Sequence, residues 1–310
     1  MNKKEILKNI GEFGIIDEIR KMARCPRSVI AGIGDDAAVL KVDPKKAVLF
    51  TTDMLLEGRH FRFNEASPYE IGWKALAVNI SDIAAMGGLP TYAVAAIGVP
   101  RDLKWDFVKE LYRGMNAVAR RFGACVVGGD TNRSDKIVVS VALLGEVPRR
   151  SFVRRSGAKP GDIVFVSGFL GGSYRSRKHL NFIPRVKEAQ FLVRHFQVNA
   201  MMDLSDGLGS DIFRIASASR VGAFLSKEAI PVSPHAKSVG EALHDGEDFE
   251  LLFTLPPKEA ARLSLRTFPK KMAPFHPVGR IVEKKQGVRL LGANGLNKPL
   301  EEKGYDHFRK

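Results

Sequence analysis

The chain has 310 residues, of which 45% are hydrophobic and 8% aromatic, a globular composition too long for one small core and in keeping with two domains. Lysine and arginine number 49 against 34 acidic residues, a net charge of +15, and this surplus suits either anionic partners or a solvated surface. Two cysteines, Cys25 and Cys125, exclude a disulfide framework and a thiolate metal site, and no apolar run is long enough to cross a membrane.

The N-terminus, MNKKEILKNIGEFGIIDEIRK, reads as an amphipathic helix over residues 3–22, with Ile6, Ile10, Phe13 and Ile16 three or four apart. Charges run through its apolar positions, unlike a signal peptide, so a cytoplasmic protein is expected. VLFTTDML reads as a buried strand ending in polar residues. SPYEIGWKALAVNISDIAAMG has a Ser-Pro start and helical apolar spacing. TYAVAAIGVP is a strand, LKWDFVKELYRGMNAVARRFG an amphipathic helix closed by Gly123, and ACVVGGD and KIVVSVALLGEV two more strands. The basic, glycine- and proline-bearing stretch PRRSFVRRSGAKPGD marks a domain junction, which divides the chain into 1–148 and 149–310. Beyond it IVFVSG opens a second alternation that continues through MMDLSDGLGSDIFRIASASR, GAFLSKEAIP, DFELLFTLP and FHPVGRIVE. The expected class is therefore α/β, with α+β character, each domain a mixed sheet with helices.

Aspartates gather at the expected strand ends and helix starts: Asp35 and Asp36, Asp53, Asp82, Asp130, Asp203, Asp206 and Asp211. The Ser-Asp pairs of NISDIAAMG and DLSDGLGSD both fall at the expected head of a helix. Any one of these residues alone reads as a helix cap. As a set they place carboxylates near each other, which requires protons or metal. Hard oxygen donors without His or Cys point to magnesium, manganese or calcium, and magnesium commonly shares its shell with substrate phosphates. No P-loop, dinucleotide fingerprint or nucleophile elbow is present. The glycine loop GFLGGS (168–173) could cradle a phosphate or be an ordinary turn. Aromatic residues do not interleave with the basic cluster between Arg149 and Arg194, so no single-strand nucleic-acid platform emerges. A groove lined with aspartates would also repel nucleic acid in the absence of metal.

In order along the chain, GIGDDAAVL, TTDMLLEGRHF, KALAVNISDIAAMGGLP, GGDT, RSGAKPGD, DLSDGL, GEDFELLFT and GYDHF resemble the thiamine-monophosphate kinase family. That family belongs to an ATP-binding superfamily with aminoimidazole ribonucleotide synthetase, selenophosphate synthetase and a hydrogenase maturation factor. The resemblance implies transfer of the γ-phosphoryl group of ATP to thiamine monophosphate, assisted by several Mg2+ ions and needing no general base. An aminoimidazole-synthetase-like activity is the alternative. By motif, Asp36, Thr51, Thr52, Asp53, Asp82, Asp130, Asp203 and Asp206 are implied metal ligands; Asp35 is left between metal binding and holding its loop. Thr51, Thr52, Gly129, Asp130, Arg155 and Ser205 are implied nucleotide contacts, and His60, Glu247 and Tyr305 contacts of the thiamine phosphate. The N-terminal domain would bind ATP and magnesium, the C-terminal one would complete both sites, and N-terminal sheets would pair in a homodimer. No nucleic-acid or membrane partner is implied. Two departures from the family pattern stand out: a connection of only Tyr174–Lys178 after the glycine loop, and His244 and Asp245 ahead of GEDFE, where the added carboxylate would bear on metal or substrate affinity.

Overall fold

The computed structural model describes residues 29–31, 35–41, 43–267, 272–295 and 297–303. The helix expected over 3–22, Cys25, Gly32, Gly34 and Tyr305 lie outside the described residues.

The first half contains β1 (Val29–Ala31), β2 (Ala38–Leu40), β3 (Lys46–Leu56), α1 (Pro68–Ala85), β4 (Leu89–Val99), α2 (Trp105–Phe122), β5 (Cys125–Arg133) and β6 (Val138–Pro148). Its six strands form one sheet in the order β1-β2-β3-β6-β4-β5. Only β4–β5 is parallel. On β6 every second residue is buried, the period of a sheet with one covered face. The covered face carries Leu49, Leu55, Ala95, Ile97, Val139, Val141 and Leu143 in the main core. The other face leaves Phe50, Met54, Tyr92 and Val94 exposed.

The second half contains β7 (Ile163–Ser167), α3 (Lys178–Asn181), α4 (Val186–His195), β8 (Ala200–Asp203), α5 (Leu208–Ser219), β9 (Gly222–Ser226), α6 (Val239–His244), β10 (Leu251–Leu255), α7 (Pro257–Ser264), β11 (Phe275–Val282), β12 (Val288–Leu291) and β13 (Asn297–Pro299). Its seven strands run in the order β13-β12-β9-β11-β7-β10-β8, with β12–β9 the one parallel pair. Phe165, Met201, Leu251 and Phe253 join the core shared with α1, while Val164, Val166, Met202 and Leu252 join a second core with α5. Burial of both faces explains why the central strands read as unbroken apolar runs.

Helix α1 lies between the halves. Ser67 and Glu70 form a reciprocal capping box ahead of Pro68, which fixes where the helix begins. Thirteen of its eighteen residues are buried, and alanines at 75, 77, 84 and 85 let neighbours approach closely. Trp73 Nε1 donates to the Phe182 carbonyl at 2.9 Å, and Ser81 Oγ to Asp203 at 2.6 Å. These bonds tie α1 to the second half.

Three aspartates are not where the sequence puts them. Asp53 lies inside β3, because that strand pairs with β6 along its whole length, Lys46 opposite Pro148 to Leu56 opposite Val138. Asp130 lies inside β5, whose polar GGDTNR stretch continues in register beside β4. Asp82 sits in the last turn of α1, not at a helix head, since the helix starts at the capping box. Of the two Ser-Asp pairs, only Ser205-Asp206 precedes its helix, α5.

Candidate active site

Where α1, β3, β8 and the loop after β1 meet, Asp36, Asp82 and Asp203 bring ligand oxygens to within 4.8 Å of one another. Asp53, from the covered face of β3, hydrogen-bonds Asp82 beside them. Burial pushes the Asp53 carboxyl up to about 6, with repulsion from Asp36 adding to it. Burial also drives Asp82 and Asp203 well above the usual carboxylate range; Asp53, Asp203 and Asp36 repel Asp82, and Asp36 repels Asp203. Such a group of hard oxygens is held together at a cost unless protons or a cation neutralise it. Among the described residues, Arg155 reaches in, and its Nε and Nη2 grip both Asp36 oxygens at 2.9 Å. Its backbone N–H donates to Asp35 Oδ1 at 2.9 Å, so Asp35 holds the loop against the second half.

The remaining residues of the implied set divide. Thr51 Oγ1 donates to Asp82 at 2.6 Å, whereas Thr52, one residue on and therefore on the opposite face, donates to the Val141 carbonyl. Asp206 pairs with Arg214 at 2.6 Å, and Arg214 also holds Asp211 at 3.0 Å. Burial, with Asp206 nearby, pushes Asp211 up to about 7. Asp130 is exposed on the edge strand and accepts from the Thr131 amide and the Asn132 side chain, away from the three-carboxylate group. At Gly129 a Cβ would stand 1.9 Å from the Ala95 carbonyl oxygen, so the close β4–β5 approach alone requires glycine there. Ser205 accepts the Glu247 amide on its carbonyl at 2.6 Å.

His60 and Glu247 come from different halves yet meet through a residue that sequence reading missed. Lys74 Nζ, on α1, donates to the His60 carbonyl at 2.8 Å and to Glu247 Oε2 at 2.5 Å. Burial pushes the Glu247 carboxyl up and the Lys74 ammonium down, each partly offset by the other's charge. His60 Nδ1 accepts the Leu56 amide at 3.0 Å, which places the proton of the neutral ring on Nε2. Next to His60 opens a cleft of about 380 Å³ lined by Arg59, Phe61, Arg62, Tyr174, Arg177 and His179, among others. Tyr174 lies 4.3 Å from the His179 ring, and burial pulls that imidazole down to about 4. The signal for Lys74 was present: it is the lone cation inside the apolar stretch IGWKALAVNIS.

Both glycine amides at the turn of the glycine loop are already bonded within the chain. Gly171 N–H donates to Asp248 and Gly172 N–H to Asp245. Asp245, expected to act on metal or substrate affinity, is thus an internal partner of that loop. The basic cluster is likewise occupied within the chain. Arg175 bonds Glu241 and the His235 carbonyl. Arg177 bonds the Glu65 carbonyl at 2.7 Å and Glu70 at 2.8 Å, and Lys178 and Arg185 both hold the buried Glu250. These pairs engage four of the cluster's cations within the chain.

Residues 34–147 match the family model described as AIR synthase related protein, N-terminal domain, and residues 160–291 match AIR synthase related protein, C-terminal domain. The chain is 35% identical to the thiamine-monophosphate kinase of Bacillus subtilis (strain 168), over 96% of this chain and 99% of that one. It is 37% identical to the thiamine-monophosphate kinase of Aquifex aeolicus (strain VF5), over 97% and 99%. Among solved structures, AaThiL complexed with AMPPCP and TMP matches with a TM-score of 0.84 at 34% identity, covering 99% of this chain and 100% of that one. The hydrogenase maturation protein HypE of E. coli, at 23% identity and a TM-score of 0.71, shares the fold. Among the described residues, no helix is long and apolar enough to cross a membrane.

Proposed function

The chain belongs to the thiamine-monophosphate kinase family, built from the two AIR synthase related domains, and from that membership we propose that it transfers the γ-phosphoryl group of ATP to thiamine monophosphate, giving thiamine diphosphate. The observation that carries this reading is the convergence of Asp36, Asp82 and Asp203 beside Asp53, in a chain matched along nearly its whole length by AaThiL complexed with AMPPCP and TMP.

Both reactants are polyanions, so their phosphates approach only where negative charge is neutralised. The donor set fits magnesium: oxygen ligands only, mutually repelling and partly buried. Asp36, Asp53, Asp82 and Asp203 would hold Mg2+, with Asp130, Asp206 and the Thr51 and Thr52 oxygens contributing once nucleotide is bound. When bound, the metal supplies neutralisation of the phosphoryl oxygens during in-line transfer. Arg155, already at the cluster, serves the nucleotide phosphates together with Gly129 and Ser205. His60 would offer its Nε2 proton to the acceptor, Glu247, joined to the His60 loop through Lys74, would contact the same substrate, and Tyr305 would set its ring against the cationic thiazolium. The attacking oxygen is an ionised phosphate oxygen, so the chain has no need of a strong base.

The division at 148/149 belongs to the same proposal, residues 1–148 binding ATP and metal and 149–310 completing both sites. So does a homodimer through the outer face of the first sheet. Its support is the apolar set Phe50, Met54, Tyr92 and Val94, 45–58% exposed, on a face where monomers rarely leave such patches bare.

The deciding experiment incubates purified protein with ATP, Mg2+ and thiamine monophosphate and follows thiamine diphosphate by chromatography. Protein that binds ATP yet forms no diphosphate overturns the reading. Asp130→Asn should lower turnover by about a hundredfold or more, since phosphoryl charge is then less neutralised. A near wild-type rate would remove Asp130 from the site.

A further inference from the structure

Lys74 is among the largest fully buried side chains of the described residues and is 1% exposed. It lies in an apolar helix, where an ammonium without partners would be expensive to bury. Both of its bonds run to residues of the proposed acceptor pocket, one on each half of the chain. The Glu247 backbone is fixed independently: its φ is +53°, its amide bonds Ser205, and its carbonyl accepts from Ser173 Oγ at 2.6 Å. What that backbone leaves undecided is the direction of the carboxylate, and this Lys74 sets, with Tyr174 as a second partner. The same helix carries Asp82 eight residues later, about 12 Å further at roughly 1.5 Å per residue. One rigid element therefore holds both the metal-type cluster and the anchor of the acceptor pocket.

From this geometry we infer that Lys74 is a positioning residue for the phosphoryl acceptor, fixing the Glu247 carboxylate at a set distance from Asp82. Its burial rules out direct contact with either substrate, so it acts through Glu247. The inference rests on the kinase reading above.

The test is steady-state kinetics on wild type, Lys74→Met, Glu247→Gln and the double variant, with thermal unfolding of each. Lys74→Met, which leaves a buried carboxylate without its cation, should raise the acceptor KM by about 30-fold. Its KM for ATP should stay within about twofold, because that substrate gains nothing from Glu247. In the Glu247→Gln background the same substitution should change the acceptor KM by less than about threefold, since the charge it leaves unpaired is gone. A purely structural lysine would instead cost the same in both backgrounds, and that result overturns the inference. So does an unchanged acceptor KM in Lys74→Met. If Lys74→Met alone fails to fold, the double variant compared with Glu247→Gln decides, and a rise beyond about threefold overturns it. Wild-type protein that makes no diphosphate defeats the kinase reading; wild-type protein that does, with additive variants, defeats only the role of Lys74.

Discussion

Asp53→Asn is expected to stabilise the cation-free protein while abolishing its activity. Burial and Asp36 push the Asp53 carboxyl from 3.8 to about 6 in the folded chain. The unfolded chain loses that proton near pH 4, whereas the folded one keeps it to about pH 6, so between these values the folded state binds more protons. Stability therefore falls as pH rises through this window, and the whole penalty is present above it. At about 1.4 kcal/mol per pH unit, the penalty is about 3 kcal/mol. Asparagine keeps a hydrogen bond to Asp82 without the charge. In a chain of this size, at roughly 2 °C per kcal/mol, the variant should melt about 6 °C above wild type at pH 8. Near pH 4 the gain should vanish. Differential scanning calorimetry in EDTA at the two pH values measures this, and added Mg2+ should raise the wild-type Tm more than that of the variant. A variant that melts at or below wild type at pH 8 would refute the picture of an electrostatically strained cluster.

Arg155→Met removes the two-pronged grip on Asp36, whose side chain is fully buried. It should cost about 3 kcal/mol in urea unfolding and weaken ATP binding measured by calorimetry. Gly171→Ala places a Cβ 2.7 Å from the Ala242 amide at a residue with φ +83°. It should lower the circular-dichroism Tm by several degrees and release Asp248, which burial now pushes up to about 7. Val94→Glu sets a charge in the exposed apolar face of the first sheet; sedimentation velocity should show a dimer for wild type and a monomer for the variant.

Most elements were legible because their burial follows a simple period, as in the alternating β6 and the amphipathic α2 closed by Gly123 in the left-handed conformation. Helix α1 was legible at its start, where Ser67-Pro68 and Glu70 make a local cap. The positions of Asp53 and Asp130 were not, because pairing with β6 and β4 carries those strands past their apolar runs. Nothing local announces such pairing. The carboxylate residues could be named from their motifs, but their convergence needed two sheets and α1 packed together. Lys74 escaped because its partners are a backbone carbonyl fourteen residues away and a carboxylate 173 residues away. The glycine loop stayed open between cradle and turn for a similar reason: two of its amides meet Asp245 and Asp248, remote in sequence.

The connection 174–178 spends its three cations on three different places: Arg175 on α6, Arg177 on the entry to α1, and Lys178 on Glu250 beside β10. Arg177 is the one that crosses between the halves, and the side chains of that pair are 47% and 22% exposed. Salt shields such a pair, since the screening length falls from about 8 Å at physiological ionic strength to about 3 Å at 1 M. The sealed Lys74–Glu247 contact, about one helical turn away along α1, has no such shielding. Among the bonds that join α1 to the second half, the seam thus carries one ion pair that ions in the medium can slacken and one they cannot reach. Raising ionic strength should therefore loosen the Arg177–Glu70 pair while leaving the Lys74–Glu247 contact in place.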